Sequence, residues 1–370
     1  MKSYINNLNK YNYICLIGVA IWVVMTLTSP YLQVYNGDEL WALYISKHLS
    51  YTEIIKLMHS EGHIFLWYFL IKPFSYFDFL YPTITKILNY LFAFLFITLL
   101  WFKSPFSVPL KFLISVTQPF LVTYPVYGRP YSLAVLCLFI LAILYKDRLN
   151  KPTIFTAILF ITANTCLIGA IGAFAFGAIF LFDYIKEKQY QIIPLLILLL
   201  IPISLFVQWY PISMPYYIEE GNVAYRSNFF FLWAYKLRQL GKFDITELYK
   251  YFYIIFAGSF IFYFKNNLRM LFFIISAFSI VFYIHTRYPL MDYHFYFLYV
   301  FILIAYWIEK KDTKKFFFPI CFTLLTLMLC TLNRHNAFWF SNDAVVLKQF
   351  ANEIEERIPQ NSTIYATSTK

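Results

Sequence analysis

Two adjacent carboxylates, Asp38 and Glu39, are the residues in this sequence best suited to acid–base chemistry. They follow an apolar segment at residues 14–33, and a positioned carboxylate can take a proton from a hydroxyl group. A structural alternative is that Asp38 caps a helix beginning at Glu39, since Asp is a favoured N-cap residue. Capping explains neither the second carboxylate nor its place beside an apolar segment, so we favour a functional pair.

Glu61 and His63 form a second polar group further along the same segment. Carboxylate and imidazole groups bind zinc and similar ions, and His294 is a candidate third ligand. A solvated pair of loop residues is the simpler interpretation, because two ligands make an incomplete site. We therefore keep one divalent metal ion as an alternative at these residues.

Three basic residues, Lys72, Arg129 and Arg287, are candidates for binding a phosphate group. Basic side chains at the ends of apolar helices commonly extend to the polar side of a membrane interface, which explains Lys72 and Arg287 equally well. Arg129 is the strongest of the three candidates because of the motif around it, described below.

The elements that must position these residues are apolar. Of 370 residues, 61% are hydrophobic and 13% charged, a composition that excludes an ordinary soluble domain. The net charge of +11 is spread over short loops, so we expect no nucleic-acid partner. We predict an all-α integral membrane protein with about eleven transmembrane helices, at residues 14–33, 84–102, 112–127, 131–145, 152–167, 170–185, 190–209, 250–264, 270–286, 293–309 and 316–333.

The basic residues predict the orientation of these spans. With the N-terminus in the cytoplasm, each predicted cytoplasmic segment carries at least two Lys or Arg, and the short outer loops carry one or none. Residues 1–333 then form one membrane domain, with polar segments at 34–83 and 210–249 on the outer face. A short outer segment follows at 334–370. We expect 63–82 to lie at the interface or to re-enter it, since Lys72-Pro73 interrupts its apolar run.

Three segments resemble one family. The motifs D-E-L-W-A-L-Y-I-S, E-G-H-I-F-L-W-Y-F-L-I-K-P-F and G-R-P-Y-S-L-A-V-L begin at Asp38, Glu61 and Gly128. They resemble GT-C class membrane glycosyltransferases, closest to an uncharacterised bacterial GT-C-like group related to protein O-mannosyltransferases and aminoarabinose transferases. The resemblance covers residues 10–150, and the remainder only through topology. It departs at Ile64, at Pro130 and at Tyr293-His294, where the group usually has Pro, Ser and Arg-His.

The resemblance implies a bacterial inner-membrane enzyme whose active site faces the periplasm. It would be an inverting glycosyltransferase that takes a sugar from a polyprenyl-phosphate carrier, with Asp38 and Glu39 as catalytic residues. Arg129, with Lys72 and Arg287, would bind the donor phosphate, and the acceptor would be a glycan, lipid or protein of the cell envelope. The group usually continues past Lys370, so one interpretation is a truncated reading frame.

Two other classes compete with this interpretation. A transporter or lipid flippase usually buries ionisable residues at mid-membrane or shows an inverted repeat. The predicted spans have almost no ionisable residue near their middle, and no inverted repeat is evident. A non-catalytic membrane scaffold would not need the paired carboxylates.

Overall fold

Helices account for all regular secondary structure in the described chain. The computed structural model describes residues 2–29, 37–61, 64–77, 79–81, 83–209, 264, 267–287, 292–309 and 322–330. These ranges contain no β-strand, which confirms the all-α fold class. The helices are α1 (Lys2–Leu27), α2 (Gly37–His48), α3 (Tyr51–Glu61), α4 (Leu66–Ser75), α5 (Ile84–Lys103), α6 (Val108–Ser115), α7 (Tyr124–Val126), α8 (Tyr131–Leu144), α9 (Pro152–Ala163), α10 (Leu167–Lys186), α11 (Ile192–Trp209), α12 (Leu268–Arg287), α13 (Asp292–Glu309) and α14 (322–330).

Two helices, α5 and α10, are long and apolar enough to cross a bilayer by length and composition. The other apolar segments found among the described residues are shorter, at Tyr11–Leu27, Pro152–Ala163, Ile192–Gln208, Leu268–Val281 and Tyr293–Glu309. All of these overlap predicted spans. The span predicted at 250–264 lies outside the described residues apart from Phe264, and the segments 210–249 and 334–370 lie outside them entirely.

Helices α2 and α3 are separated by a capping box. The Ser50 hydroxyl accepts a hydrogen bond from the Glu53 backbone N–H at 3.3 Å. The Glu53 carboxylate in turn accepts from the Ser50 backbone N–H at 2.7 Å and from its hydroxyl at 2.6 Å. These hydrogen bonds from Ser50 lower the pKa of the exposed Glu53 carboxyl. Residues 37–61 are therefore two short helices that are separated at Ser50.

Helices α2, α3 and α4 pack into a small core of their own, formed by Ala42, Leu43, Ile45, Ile54, Met58, Trp67, Tyr68, Ile71 and Ile84. Leu40 lies outside this core and is half exposed, whereas Leu43 and Ile45 of the same helix are buried in it. Helix α4 has ten residues, or about 15 Å of length, which is too short to span a bilayer. This length agrees with the prediction that 63–79 does not cross, although Asp78 lies outside the described residues.

The span predicted at 112–127 is not one continuous helix. Helix α6 ends at Ser115, and a π-helical turn (Pro119–Thr123) leads into the short α7. Prolines 119 and 125 lack the N–H that a continuous helix requires. Neighbouring side chains satisfy the released carbonyls: Trp22 Nε1 donates to Phe120 O at 3.0 Å, and Ser132 Oγ donates to Tyr124 O at 2.6 Å.

Polar contacts gather at the two ends of the bundle. Asp183, near the end of α10, is buried and accepts hydrogen bonds from Arg148 at 2.7 Å and Arg269 at 2.6 Å. Arg129 lies at the opposite end, before the first residue of α8. We call these the Asp183 end and the Arg129 end. The 14 residues of α8 separate them by about 21 Å.

Candidate functional site

Arg129 is the centre of the site. It lies in the turn between α7 and α8, with only 5% of its side chain exposed. Its Nη2 is 3.3 Å from Asp38 Oδ2, and its Nη1 donates to the Asp38 carbonyl oxygen at 3.1 Å. Burial alone would lower the pKa of Arg129, but nearby Tyr131 and Asp38 raise it on balance. The guanidinium therefore remains a buried positive charge that can bind an anion.

Of the two adjacent carboxylates, Asp38 is the one that is exposed to solvent. Its side chain is 61% exposed, although its partner Arg129 is buried. Helix α2 begins at Gly37, so Asp38 lies in the first helical turn rather than before it. A carboxylate is also favoured there by the helix dipole, so its position alone does not require a function. Helix capping does not explain why Asp38 contacts a buried guanidinium from a distant part of the chain.

Glu39 has a different role from Asp38. It is fully buried, and its Oε1 lies 2.8 Å from Lys86 Nζ. The same oxygen accepts the backbone N–H of Gly128. Lys86 also donates to Val126 O at 2.7 Å, so this ion pair joins α2, α5 and the turn that carries Arg129. We predicted that Glu39 is catalytic. Its buried contacts with Lys86 and Gly128 favour instead a role in holding the Arg129 turn in place.

Gly128 has no space for a side chain. A Cβ atom there would lie 2.6 Å from Glu39 Oε1 and 2.9 Å from Thr85 Cβ. Gly128→Ala should therefore destabilise the protein by about 1–3 kcal/mol, because the Glu39 carboxylate is held in place by Lys86 and Thr85 Cβ is fixed to the backbone of α5. Thermal unfolding of the purified protein measures this.

Gly37 provides the matched control for that change. A Cβ atom at Gly37 would meet nothing within 4 Å, and the residue lies next to Asp38. Gly37→Ala should leave the unfolding temperature unchanged or slightly higher, since Ala favours helix more than Gly does. Equal destabilisation by both variants would contradict the close approach at Gly128.

The first turn of α13 completes the site. Tyr131 and His294 Nε2 are hydrogen-bonded at 3.1 Å, and the rings of Tyr131 and Tyr293 lie 5.1 Å apart. His294 is within electrostatic range of Arg129. Tyr68, from α4, is within the same range of the guanidinium. Helices α2, α4, α8 and α13 thus converge on Arg129, which brings together the separate sequence motifs.

The neighbours of His294 disfavour binding of a metal ion at its Nε2 atom. Its Nε2 is engaged by Tyr131, and the charge of Arg129 would repel a second cation. No group of three or more His, Cys, Asp or Glu side chains that could hold a metal occurs among the described residues. The Glu61 side chain and His63 lie outside them, so a metal ion at that pair remains a prediction.

Lys72 is not part of this cluster of contacts. Its ammonium donates to Ser46 O at 3.1 Å and to Leu49 O at 2.6 Å, carbonyls at the end of α2. It is buried and lies over the rings of Tyr51 and Tyr76. These contacts make it a C-terminal cap of α2, a role that basic residues fill favourably. The Arg287 side chain lies outside the described residues.

Lys86 and Asn89 also belong to the surroundings of Arg129, although neither was predicted from the sequence as a site residue. Both lie inside the predicted span 84–102, three residues apart and therefore on one face of α5. Asn89 Nδ2 donates to Tyr127 O at 2.6 Å and also to Tyr124 O, which secures the broken helix before Arg129. Polar residues inside an apolar span are functional candidates, and this signal was present in the sequence.

No known protein family, curated protein or solved structure matches this chain. The chemistry of the site must be inferred from its own residues. An exposed carboxylate beside a buried guanidinium, surrounded by tyrosines, can bind a phosphate group and accept a proton from a hydroxyl.

Proposed function

We propose that this chain is a polytopic membrane protein of about eleven spans that acts as an inverting glycosyltransferase. It takes a sugar from a polyprenyl-phosphate carrier on the outer face of the bacterial inner membrane. The observation that carries the proposal is the pairing of exposed Asp38 with buried Arg129 at 3.3 Å. This pairing provides a proton acceptor and a phosphate-binding cation at one end of an apolar helix bundle.

The separation of the polar contacts into two ends of the bundle supports the proposed orientation of the spans. Residues assigned to the cytoplasmic side meet at the Asp183 end, including Arg148 and Arg269. Asp38 and Arg129, assigned to the outer face, meet at the other end. Helices α8 and α13 each have contacts at both ends and run from the Arg129 end to the Asp183 end. Helix α5 begins at the Arg129 end, and α10 finishes at the Asp183 end, as alternating spans require. These groupings were expected from the distribution of Lys and Arg.

Cysteine labelling tests this orientation. Lys56, on α3, and Lys146, after α8, are both exposed in the folded chain. An impermeant maleimide added to intact cells should modify Lys56→Cys but should modify Lys146→Cys only after permeabilisation. The parent chain controls for its own cysteines, three of which are buried: Cys15, Cys137 and Cys166. Modification of Lys146→Cys in intact cells, without modification of Lys56→Cys, would reverse the proposed topology.

The mechanism follows from the two charged groups. The guanidinium of Arg129 binds the phosphate of the donor by charge-assisted hydrogen bonds. An acceptor hydroxyl attacks the anomeric carbon on the face opposite the phosphate and loses its proton to Asp38. The carbon–oxygen bond to the phosphate breaks, and the phosphate leaves with the electron pair beside Arg129. Inversion requires nucleophile and leaving group on opposite faces of the sugar.

This geometry requires the Asp38–Arg129 pair to open. The two side chains are in contact in the structure, and a sugar ring must lie between the base and the departing phosphate. The donor phosphate therefore replaces Asp38 as the partner of Arg129. Glu39 and Lys86 hold the Arg129 turn in place while Asp38 moves, because their ion pair is buried and separate from the exposed carboxylate.

The direct test is transfer of labelled sugar from a panel of undecaprenyl-phosphate sugars in membranes containing the protein. Arg129→Ala should raise the KM for the donor by about 10- to 100-fold, the usual effect of losing hydrogen bonds to a charged group. Arg129→Lys should lose less, since it keeps the charge but not the paired geometry. An unchanged donor KM in Arg129→Ala would remove Arg129 from the site.

The alternative is a transporter or lipid flippase. Wild-type membranes that move the lipid carrier across the bilayer without transferring sugar would favour it. Among the described residues, the ion pairs involving Asp38, Glu39 and Asp183 lie near helix ends, whereas a translocation pathway would need charged groups nearer the middle of the spans.

A further inference from the structure

Two buried amides lie where α9 and α11 pack together. Asn164 follows the last residue of α9, and Gln208 lies in the last turn of α11. Each is only 1% exposed. Gln208 Nε2 donates to Asn164 Oδ1 at 3.1 Å and to Ser204 O at 2.9 Å. Burying two amides among apolar helices is costly unless their hydrogen bonds are made.

The other end of Gln208 reaches a different part of the chain. Its Oε1 accepts the backbone N–H of Phe65 at 2.9 Å. A backbone N–H can only donate, so the Gln208 atom facing it must be the oxygen. The Gln208 side-chain nitrogen then points the opposite way and donates its hydrogen bond to the Asn164 oxygen. The Asn164 amide nitrogen is used separately, donating to Phe160 O at 2.9 Å and to Ser204 Oγ at 3.2 Å.

Phe65 immediately precedes α4, and its side chain cannot cap that helix. The first N–H groups of a helix have no partner within it, so Gln208 supplies from α11 an acceptor that α4 lacks locally. Helix α4 carries Tyr68, which is within electrostatic range of Arg129, and Lys72, which caps α2. The start of α4 therefore determines the placement of both.

We propose that Asn164 and Gln208 form an amide relay that positions α4, and through it the Asp38–Arg129 site. Asn164 fixes the orientation of the Gln208 amide, and Gln208 holds the start of α4. Both are positioning residues, because they are hydrogen-bonded to each other and to the start of α4 and act on the site only through that helix. The relay itself is independent of the proposed function, and only its effect on sugar transfer rests on that function.

Hydrogen–deuterium exchange of the full chain in lipid nanodiscs tests the relay without an activity assay. Gln208→Met replaces the amide by an unbranched apolar side chain of similar size. Amides in residues 64–72 should exchange about 3- to 10-fold faster, the effect of losing one hydrogen bond that holds the segment. Residues 84–103 serve as an internal reference and should be unchanged. Gln191→Met is the matched control, since Gln191 is exposed and immediately precedes α11.

Asn164→Leu tests whether Asn164 is needed for the hydrogen bond between Gln208 and Phe65, as a relay requires. It should accelerate exchange in residues 64–72 in the same way, because it frees the Gln208 amide to turn. The double variant should be no worse than Gln208→Met alone, since both changes break the same chain of hydrogen bonds. Faster exchange with Gln208→Met but not with Asn164→Leu would overturn the relay. Unchanged exchange in both would overturn the role of Gln208 as well.

Sugar transfer gives a second, separate result. If the wild-type protein transfers sugar, Gln208→Met and Asn164→Leu should lower kcat by the same factor. Unchanged kcat together with faster exchange would show that α4 does not position the site. If the wild-type protein transfers no sugar, the proposed function fails, and the exchange results still decide whether the relay exists. If Gln208→Met does not fold, hydrogen–deuterium exchange of Asn164→Leu alone decides whether the relay exists.

Discussion

Asp38→Asn should lower the turnover of sugar transfer by about 100- to 10,000-fold, the usual loss on removing a positioned general base. The amide has the same shape as the carboxylate but cannot accept the proton of the acceptor hydroxyl. Folding should be unaffected, since the Asp38 side chain is 61% exposed. The measurement is kcat with saturating donor, alongside the elution profile and the unfolding temperature of the purified variant.

The Asp38–Arg129 ion pair leads to a second expectation for the same variant: turnover falls, but binding of the lipid phosphate becomes tighter. Asp38 competes with the donor phosphate for Arg129, so Asp38→Asn should bind undecaprenyl phosphate more tightly. The gain should be no more than about 5-fold, because the Asp38 carboxylate is exposed to water, and an ion pair weakened in this way contributes roughly 1 kcal/mol or less. Lower turnover combined with tighter binding distinguishes a lost base from a disrupted site.

Glu53→Gln is the control for Asp38→Asn. Glu53 is an exposed acid on the neighbouring α3, and Gln can replace Glu in a capping box. It should transfer sugar at the wild-type rate. Wild-type turnover in Asp38→Asn would reject Asp38 as the base, and equal losses in both variants would indicate a general effect of charge on the outer helices.

Lys86→Met should destabilise the protein by about 3–5 kcal/mol, because it leaves the buried Glu39 carboxylate without its positive partner. The Lys86 side chain is 8% exposed and that of Glu39 is 0% exposed, so water cannot replace the lost contact. Val126 O loses a donor as well. Thermal unfolding in one detergent, compared with wild type, measures the change.

The double variant Lys86→Met/Glu39→Gln tests whether the charge is the cause. It removes both charges and keeps the shape of residue 39, so a large part of the lost stability should return. Gln can still accept the Gly128 N–H through its carbonyl oxygen. A double variant less stable than Lys86→Met would show that packing around Lys86, and not the unpaired carboxylate, accounts for the loss.

Much of the helical architecture could be predicted from apolar run lengths. The span predicted at 84–102 matches α5 (Ile84–Lys103), because a long apolar run bounded by Lys103 leaves few alternatives. The predicted span 112–127 was wrong as a continuous helix. Its prolines were visible, but the side chains that satisfy a broken helix come from distant helices, as Trp22 does.

The candidate site was predicted in part. The structure brings together Asp38, Arg129 and His294, which were chosen from separate motifs. The different roles of Asp38 and Glu39 could not be predicted. They depend on which face of α2 meets Gly128 and Lys86, and that is a tertiary contact between residues far apart in sequence. The contacts of Lys72 could not be predicted either. Its position in the sequence fits a membrane interface, but its ammonium donates hydrogen bonds to carbonyls at the end of α2.

The Asp183 contacts have a mechanical consequence. Arg148, Asp183 and Arg269 come from three different parts of the chain, and the carboxylate accepts hydrogen bonds from both arginines. Asn267 and Glu309 add α13 to the same end. Fixing the helices there leaves tilting about that end as the simplest way to open the bundle. In a helix of 18 residues, as in α13, a tilt of about 5° displaces the far end by roughly 2 Å. A displacement of that size would separate two side chains in contact. On the proposed function, tilting about the Asp183 end would therefore give a substrate access beside Arg129 without unfolding any helix.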